Sequence, residues 1–266
     1  MANAGRRRTL CAMQGGYVAM LDVLGFSALV MRDPSGQRFR EYLGCVEDAT
    51  KDTRVKYVVF SDTIVLTRED NGPDSLLDIA RASSRIFYDL LQVRIAIRGA
   101  IAFGDFFRST VAESVFVAGS AVIDAYQFEQ QQDWVGIMLA PSARTQVPDL
   151  ESRCILHTFK DSVDFVKRVE WAAVLQYCPQ IPFHQISVAE NMYRGFAIVP
   201  RHCAAEAADL TANISSAIKQ LEWLRSVAPS PASQRKYDWS TSWLGDIRNR
   251  WGGWAQERGK GGRLQS

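Results

Sequence analysis

The sequence predicts a mixed α/β (α+β) fold: a ferredoxin-like sheet with added elements and a helical extension at the C-terminal end. Three observations predict it. Apolar runs of strand length alternate with amphipathic runs of helix length, in the order β-α-β-β-α-β and then α-β. Turn-forming stretches, Ser61-Asp62 and Asn71-Gly72-Pro73-Asp74, punctuate them. The composition, 47% hydrophobic and 23% charged over 266 residues, suits a chain that buries a sizeable core and is too apolar for disorder.

Tyr17 to Leu24 is a nearly unbroken apolar run, as a buried central strand requires. Gly25 and Ser27 open a helix, with the Ser27 hydroxyl as its expected cap. Arg38 to Ala49 is amphipathic and helical. Val55–Phe60 and Thr63–Thr67 are β-rich and form a hairpin through Ser61-Asp62. A helix over Ser75–Leu91 follows the Gly72-Pro73 loop. Arg94–Phe103, rich in Ile and Ala, reads as a buried strand and Val111–Val117 as another. Gly119–Gln130 is helical, Trp134–Leu139 a strand and Pro141–Val147 a short helix. Ala204–Arg225 is a long amphipathic helix, Pro229 and Pro231 break it, and Asp238–Trp251 forms a further helix. The organisation expected is a disordered N-terminus (1–16), a catalytic-size domain (17–203), and C-terminal helices with a basic, Trp-rich tail (204–266).

Charge and composition exclude several classes. A net charge of +2 excludes a strongly basic nucleic-acid coat, and no nucleic-acid partner is expected. The surplus sits at the ends: Arg235–Ser266 holds seven basic and three acidic residues. That tail reads either as a solvated, Gly-containing segment or as a surface for an anionic partner. Its tryptophans, Trp239, Trp243, Trp251 and Trp254, require a packing surface, such as a dimer partner. No window reaches the roughly 18 apolar residues of a membrane helix. Arg6-Arg7-Arg8 is followed by no apolar stretch, so no export signal is expected. Five scattered cysteines without a C-x-x-C pair fit a reducing cytoplasm. His157, His184 and His202 have no metal-ligand spacing.

Three segments carry chemistry. In Leu21-Asp22-Val23-Leu24-Gly25-Phe26 a lone carboxylate closes an apolar strand. It serves either as a turn or capping residue or as a metal ligand, with backbone amides of Leu24 to Phe26 turned to an anion. In Phe60-Ser61-Asp62 a second carboxylate occupies a hairpin turn, a common structural position. If the hairpin pairs with the first strand, Asp22 and Asp62 converge, and two converging carboxylates need a cation between them. Mg²⁺ and Mn²⁺ prefer such oxygen ligands. In Ile97-Arg98-Gly99 an arginine inside an apolar strand must meet an anion: a structural carboxylate, the acidic site or phosphate. Gly99 and Gly104 allow close approach of backbone or ligand.

These segments, in this order over Tyr17 to Leu139, resemble the class III nucleotidyl cyclases, and most of all the bacterial pyrimidine cyclases of Pycsar antiphage defence. The shared motifs are the strand ending in Asp22 before Gly25-Phe26, the Phe60-Ser61-Asp62 hairpin, the Ile97-Arg98-Gly99 strand, and the Ala125-Tyr126-x-x-Glu129 helix. Purine cyclases keep an Asn and an Arg on that helix for the transition state. Ile123 and Gln127 stand nearest by position here, which argues against an ordinary adenylate or guanylate cyclase. Neither a P-loop nor a nucleophile elbow is present, and the diguanylate-cyclase signature is absent.

The resemblance implies a ferredoxin-like class III catalytic domain that converts UTP or CTP to a 3′,5′-cyclic monophosphate for a downstream effector. It implies two divalent cations, Mn²⁺ or Mg²⁺, held by Asp22, Asp62 and the Val23 carbonyl, with Leu24, Gly25 and Phe26 binding phosphate. It implies a homodimer with sites at the interface, Arg98 orienting the acidic pair or touching phosphate, and Tyr126 or Glu129 reaching the partner's site. Tyr57, where purine cyclases carry a base-reading region, is either a core aromatic or a wall that admits only a single-ring base. UTP is placed ahead of CTP. Two rival readings are a catalytically inactive cyclase-like domain and an interaction module working through its Trp-rich tail.

Overall fold

The computed structural model describes residues 13–111, 114–154, 171–182, 192–202 and 207–261. Strand β1 (Gln14–Val23) lies between β3 (Thr63–Glu69) and β4 (Ile97–Val111), antiparallel to both. Its interior residues Tyr17, Val18, Ala19 and Leu21 are fully buried, which explains the unbroken apolar run. Strand β2 (Lys56–Phe60) extends the sheet on one side. On the other come β6 (Gly136–Leu139), parallel to β4, then β8 (Met192–Ile198) and β7 (Leu175–Pro182). Strand β5 (Ser114–Gly119) pairs with the far half of β4 as a projecting arm.

Helices cover both faces of this sheet. Tyr17, Arg68 and Phe103 share a row, and Arg68 reaches Asp78 on α3 (Pro73–Gln92) at 3.1 Å, so α3 covers that face. The apolar stripe of α3, including Leu76, Ile79, Ile86 and Leu90, is buried there. The opposite face carries Asp22 and Arg98 and is covered by α4 (Ser120–Gln131). A Cβ on Gly104 would lie 2.8 Å from Ser120 Oγ. The β1–β3 connection contributes α1 (Phe26–Met31) and α2 (Gln37–Thr50), and α5 (Pro141–Thr145) and α6 (Leu150–Cys154) follow β6.

The C-terminal part forms two long helices, α7 (Ala207–Ser226) and α8 (Pro231–Gly261), packed on each other. Helix α7 is tied to α3 by Ser216 Oγ donating to Gln92 Oε1 at 2.8 Å and by Arg94 stacked 4.0 Å over Trp223. Helix α8 docks beside the start of β6: Trp243 packs edge-on to Trp134, and Ser240 Oγ bonds both the N–H and the carbonyl of Val135. Trp243 and Trp251 are buried, so the tail is a packed helix against its own chain. The expectation of a solvated tail or one covering a dimer partner is corrected over the described residues; Trp254's surroundings and residues 262–266 lie outside them.

Other differences have physical reasons. β1 begins at Gln14, inside the stretch expected to be disordered, because β4 is long enough to pair with residues 14–16; residues 1–12 lie outside the described residues. β4 begins at Ile97 rather than Arg94, since Arg94 takes a positive φ of 61° in a turn. β5 begins three residues later than expected and ends two residues later. Helix α8 starts at Pro231, which is tolerated in a first helical turn, so the two proline positions separate helices without delaying the second. Strands β7 and β8 were not expected. Pro179 and Pro182 speak against a strand, yet β7 closes the sheet at an edge, where a missing N–H costs little, and its pairing is irregular after Cys178. Cys45 and Cys154 are free thiols; Cys11 and Cys203 fall outside the described residues. Among the described residues no helix is long and apolar enough to cross a membrane.

The close approach of β1 and β4 depends on Gly99. A Cβ there would sit 2.7 Å from the Met20 carbonyl and 2.6 Å from Leu21 Cδ2. Gly99→Ala is expected to cost about 1–3 kcal/mol by forcing the strands apart. Gly44→Ala, in α2 with open space around it, is expected to gain about 0.5–1 kcal/mol. Urea denaturation midpoints of the two variants check the contrast.

Candidate active site

Register places the acidic pair. Asp22 is paired with Thr63 on one side and Arg98 on the other, so the three side chains project from the same face. Asp62 precedes Thr63 in the β2–β3 turn, and its carbonyl accepts the Val23 N–H at 2.9 Å. Ser61 makes the turn possible with a positive φ of 57°. Two carboxylates distant in sequence are thereby brought to one end of the sheet, and each feels the other's charge. Burial lifts the Asp22 carboxyl above its ordinary value; Arg98 opposes that rise, Asp62 adds to it, and Lys236 opposes it.

Arg98 is 8% exposed and belongs to a buried cluster. Its Nε donates to Glu129 Oε1 at 2.5 Å, its Nη1 to the Gln132 carbonyl at 2.8 Å, and its Nη2 lies 3.8 Å from Asp22 Oδ2. Its tight anion is thus a structural carboxylate, with Asp22 second. A side chain so committed braces Asp22 and is not turned outward to phosphate. Glu129, 2% exposed, has its carboxyl raised by burial, which the Arg98 charge opposes. It faces its own chain's Asp22 row, a correction to the expectation that it reaches a partner's site. Gln132 completes the cluster, donating to the Gly99 carbonyl at 2.9 Å and accepting from Trp134 Nε1 at 2.8 Å.

The loop after β1 differs from expectation in two details. Helix α1 is capped by Gly25 itself, at φ 76°, with no side-chain bond, so Ser27 is not the cap. The Leu24 N–H donates to the Ala96 carbonyl at 2.9 Å, which removes it from the expected phosphate-binding set. Gly25 and Phe26 have no backbone acceptor for their N–H groups among the described residues.

Tyr57 is not brought into the site. It pairs with Leu66, which pairs with Ala19, so it lies on the face opposite Asp22. There it lines a cleft of about 600 Å³ with Glu47, Lys51 and Arg108, and burial and Glu47 raise its hydroxyl. Tyr126 is 51% exposed on α4, whereas Glu129, one turn on, is buried. Ile123, where purine cyclases keep a transition-state residue, is also exposed.

Tyr42 on α2 was missed by sequence reasoning. Its ring packs against Phe26 and Phe39, and its fully buried hydroxyl has no hydrogen-bond partner among the described residues. Burial raises that hydroxyl strongly, and the charges of Asp62 and Asp22 raise it further, so it lies within the field of the pair. Nothing in an amphipathic helix flags one buried tyrosine as different from its neighbours. No group of three or more His, Cys, Asp or Glu side chains suited to a metal occurs among the described residues. A divalent cation with its waters nevertheless fits this place: two carboxylates, a strand-end carbonyl and a buried orphan hydroxyl are hard oxygen groups.

No family model and no curated protein matches this chain. Among solved structures it is similar to the adenylyl cyclase CyaB from P. aeruginosa (12% identity, 72% of this chain and 97% of that one, TM-score 0.48). It is also similar to the guanylyl cyclase domain of the RhoGC fusion protein from the aquatic fungus Blastocladiella emersonii (12%, 72% and 100%, 0.45). A third is a bacterial light-regulated adenylyl cyclase (11%, 77% and 58%, 0.46). At such identities and scores the site is read from its own residues.

Because burial raises the Asp22 carboxyl, the folded chain keeps that proton where the unfolded chain has released it. Stability therefore falls as pH rises from the unfolded value of 3.8 through the folded one, and stays lower above it. Asp22→Asn is expected to melt higher than the wild type at pH 7, with the difference vanishing in acid. Millimolar Mn²⁺ is expected to raise the melting temperature of the wild type and not that of Asp22→Asn. Calorimetric scans across pH, with and without Mn²⁺, check both.

Proposed function

We propose that the chain is a nucleotidyl cyclase of class III type, converting a ribonucleoside triphosphate to its 3′,5′-cyclic monophosphate and pyrophosphate. The observation that carries this reading is the convergence of Asp22 and Asp62 at the end of β1, beside the Gly25 and Phe26 N–H groups.

Asp22, Asp62 and the Val23 carbonyl would hold two divalent cations, Mn²⁺ or Mg²⁺. Such ions, when bound, acidify the ribose 3′-hydroxyl and neutralise charge on the departing pyrophosphate. The chain's own residues position the rest. Arg98, braced by Glu129 and Gln132, fixes the rotamer of Asp22. The N–H groups of Gly25 and Phe26 bind phosphate oxygens. Oxygen O3′ attacks the α-phosphorus in line, the bond to the β-phosphate bridging oxygen breaks, and the hydroxyl proton leaves to solvent.

The substrate proposed is a pyrimidine triphosphate, UTP before CTP, and the product a messenger in antiphage defence. Both rest on the motif resemblance and on Ile123 and Gln127 standing where purine cyclases keep Asn and Arg. Tyr57, on the far face, contributes nothing to base choice. A homodimer is proposed on the exposed Ile123 and Tyr126 of α4 and Phe116 of β5, apolar side chains that a second copy would cover.

Incubation with each of the four ribonucleoside triphosphates and Mn²⁺, with products resolved by mass spectrometry, tests the reading. One pyrimidine cyclic monophosphate is expected. Asp22→Asn and Asp62→Asn should lower its formation by more than about 100-fold while the fold survives, as loss of a metal ligand requires. Tyr57→Ala should leave the base preference unchanged. Absence of any cyclic product contradicts the proposal.

A further inference from the structure

The C-terminal helix α8 carries a cation to the acidic pair. Ser240 of α8 bonds Val135, which adjoins Gly136, the register partner of Arg98, and Arg98 pairs in turn with Asp22, so Arg98 and Lys236 stand at the same end of the sheet and differ in what they are free to do. Arg98 is buried and bonded to Glu129 and Gln132. Lys236 keeps its side chain 26% exposed and pairs, Nζ to Asp133 Oδ1, at 3.0 Å. Asp133 adjoins Gln132, whose carbonyl holds Arg98, and Arg98 is the register partner of Asp22. The ammonium is thus stationed at the rim of the site.

Its helix is firmly seated. Ser240, one turn on, bonds Val135 with its hydroxyl and also donates to the Lys236 carbonyl at 3.1 Å. Trp243, Leu244, Ile247 and Trp251 bury the next turns. An ammonium has three donors, and the contact with Asp133 is an ion pair, so its donors can serve a second anion. Arg98 is engaged by Glu129 and Asp22, and Asp22 and Asp62 are the proposed cation ligands, so Lys236 is a partly exposed cation at this rim that those groups do not engage.

We infer that Lys236 is a substrate-binding residue, brought in by the C-terminal helix, that contacts the phosphate chain of the nucleoside triphosphate while Asp133 holds it in place. This rests on the nucleotide reading above. It makes the C-terminal extension part of the site, and it supplies a positive charge to a chain whose α4 lacks the purine-cyclase arginine.

The test is equilibrium binding, free of turnover, of the four 3′-deoxynucleoside triphosphates and their monophosphates in Mn²⁺. Wild type is expected to bind at least one triphosphate, and Asp22→Asn to bind it more weakly. Lys236→Met should weaken that triphosphate about 10-fold, the scale of one charge-assisted hydrogen bond, with the monophosphate within twofold of wild type. Lys236→Arg should restore it, and Lys219→Met, an exposed lysine on α7, should change nothing. Lys236→Gln repeats the measurement should the methionine variant melt below the assay temperature. Equal losses for triphosphate and monophosphate, or no loss, overturn the role of Lys236 and leave the cyclase reading standing. A wild type that binds no triphosphate, or binds it as well as Asp22→Asn does, overturns that reading and the inference with it.

Discussion

Two like charges held together at the end of an apolar strand constrain everything around them. Asp22 is fixed by seven consecutive pairings of β1 with β3, and Asp62 by the carbonyl that takes the Val23 N–H. Neither can withdraw without unzipping the centre of the sheet. The folded chain therefore bears a raised carboxyl at Asp22 and places Arg98 against it. Arg98 would itself be costly to bury, and Glu129 and Gln132 offset that cost. A charge cluster of this kind contributes little net stability; its effect is to keep a fixed positive charge 3.8 Å from the Asp22 carboxylate. The stability comes from the apolar faces of β1, α3 and the C-terminal helices.

Much of this was legible in the sequence because the physics is local. The apolar run of β1, the stripe of α3 and the Ser61-Asp62 turn each follow from residues close together in the chain. The convergence of Asp22 and Asp62 followed once β1 and the hairpin were taken as neighbours. Less legible was whatever depends on distant packing. Arg98 in an apolar strand announced a need for an anion, and the helix motif offered Glu129, but the assignment of that glutamate to the same chain requires α4 to lie over β4. The face occupied by Tyr57 depends on counting register through two strand pairs. Strand β7 carries two prolines, Pro179 and Pro182, which an edge position tolerates.

The C-terminal segment shows how composition misleads. Its glycines and basic residues resemble a solvated tail, whereas its tryptophans are spaced to bury one side of a helix. Trp243 and Trp251 go into the chain's own core and Trp239 packs at its margin. A segment seated in that way is rigid enough to carry a functional side chain, and Lys236 lies one turn before the Ser240 that ties the helix to Val135. Tyr57, by contrast, lies on the face of the sheet opposite Asp22.

The central claim is that the Asp22 and Asp62 carboxylates share divalent cations. Anomalous X-ray scattering from crystals grown with Mn²⁺ and a 3′-deoxynucleoside triphosphate addresses it most directly. The account predicts manganese peaks bridging the two carboxylates, with the phosphate chain on the same side. Full binding of the nucleotide with no manganese between Asp22 and Asp62, or carboxylates turned away from each other, would contradict it.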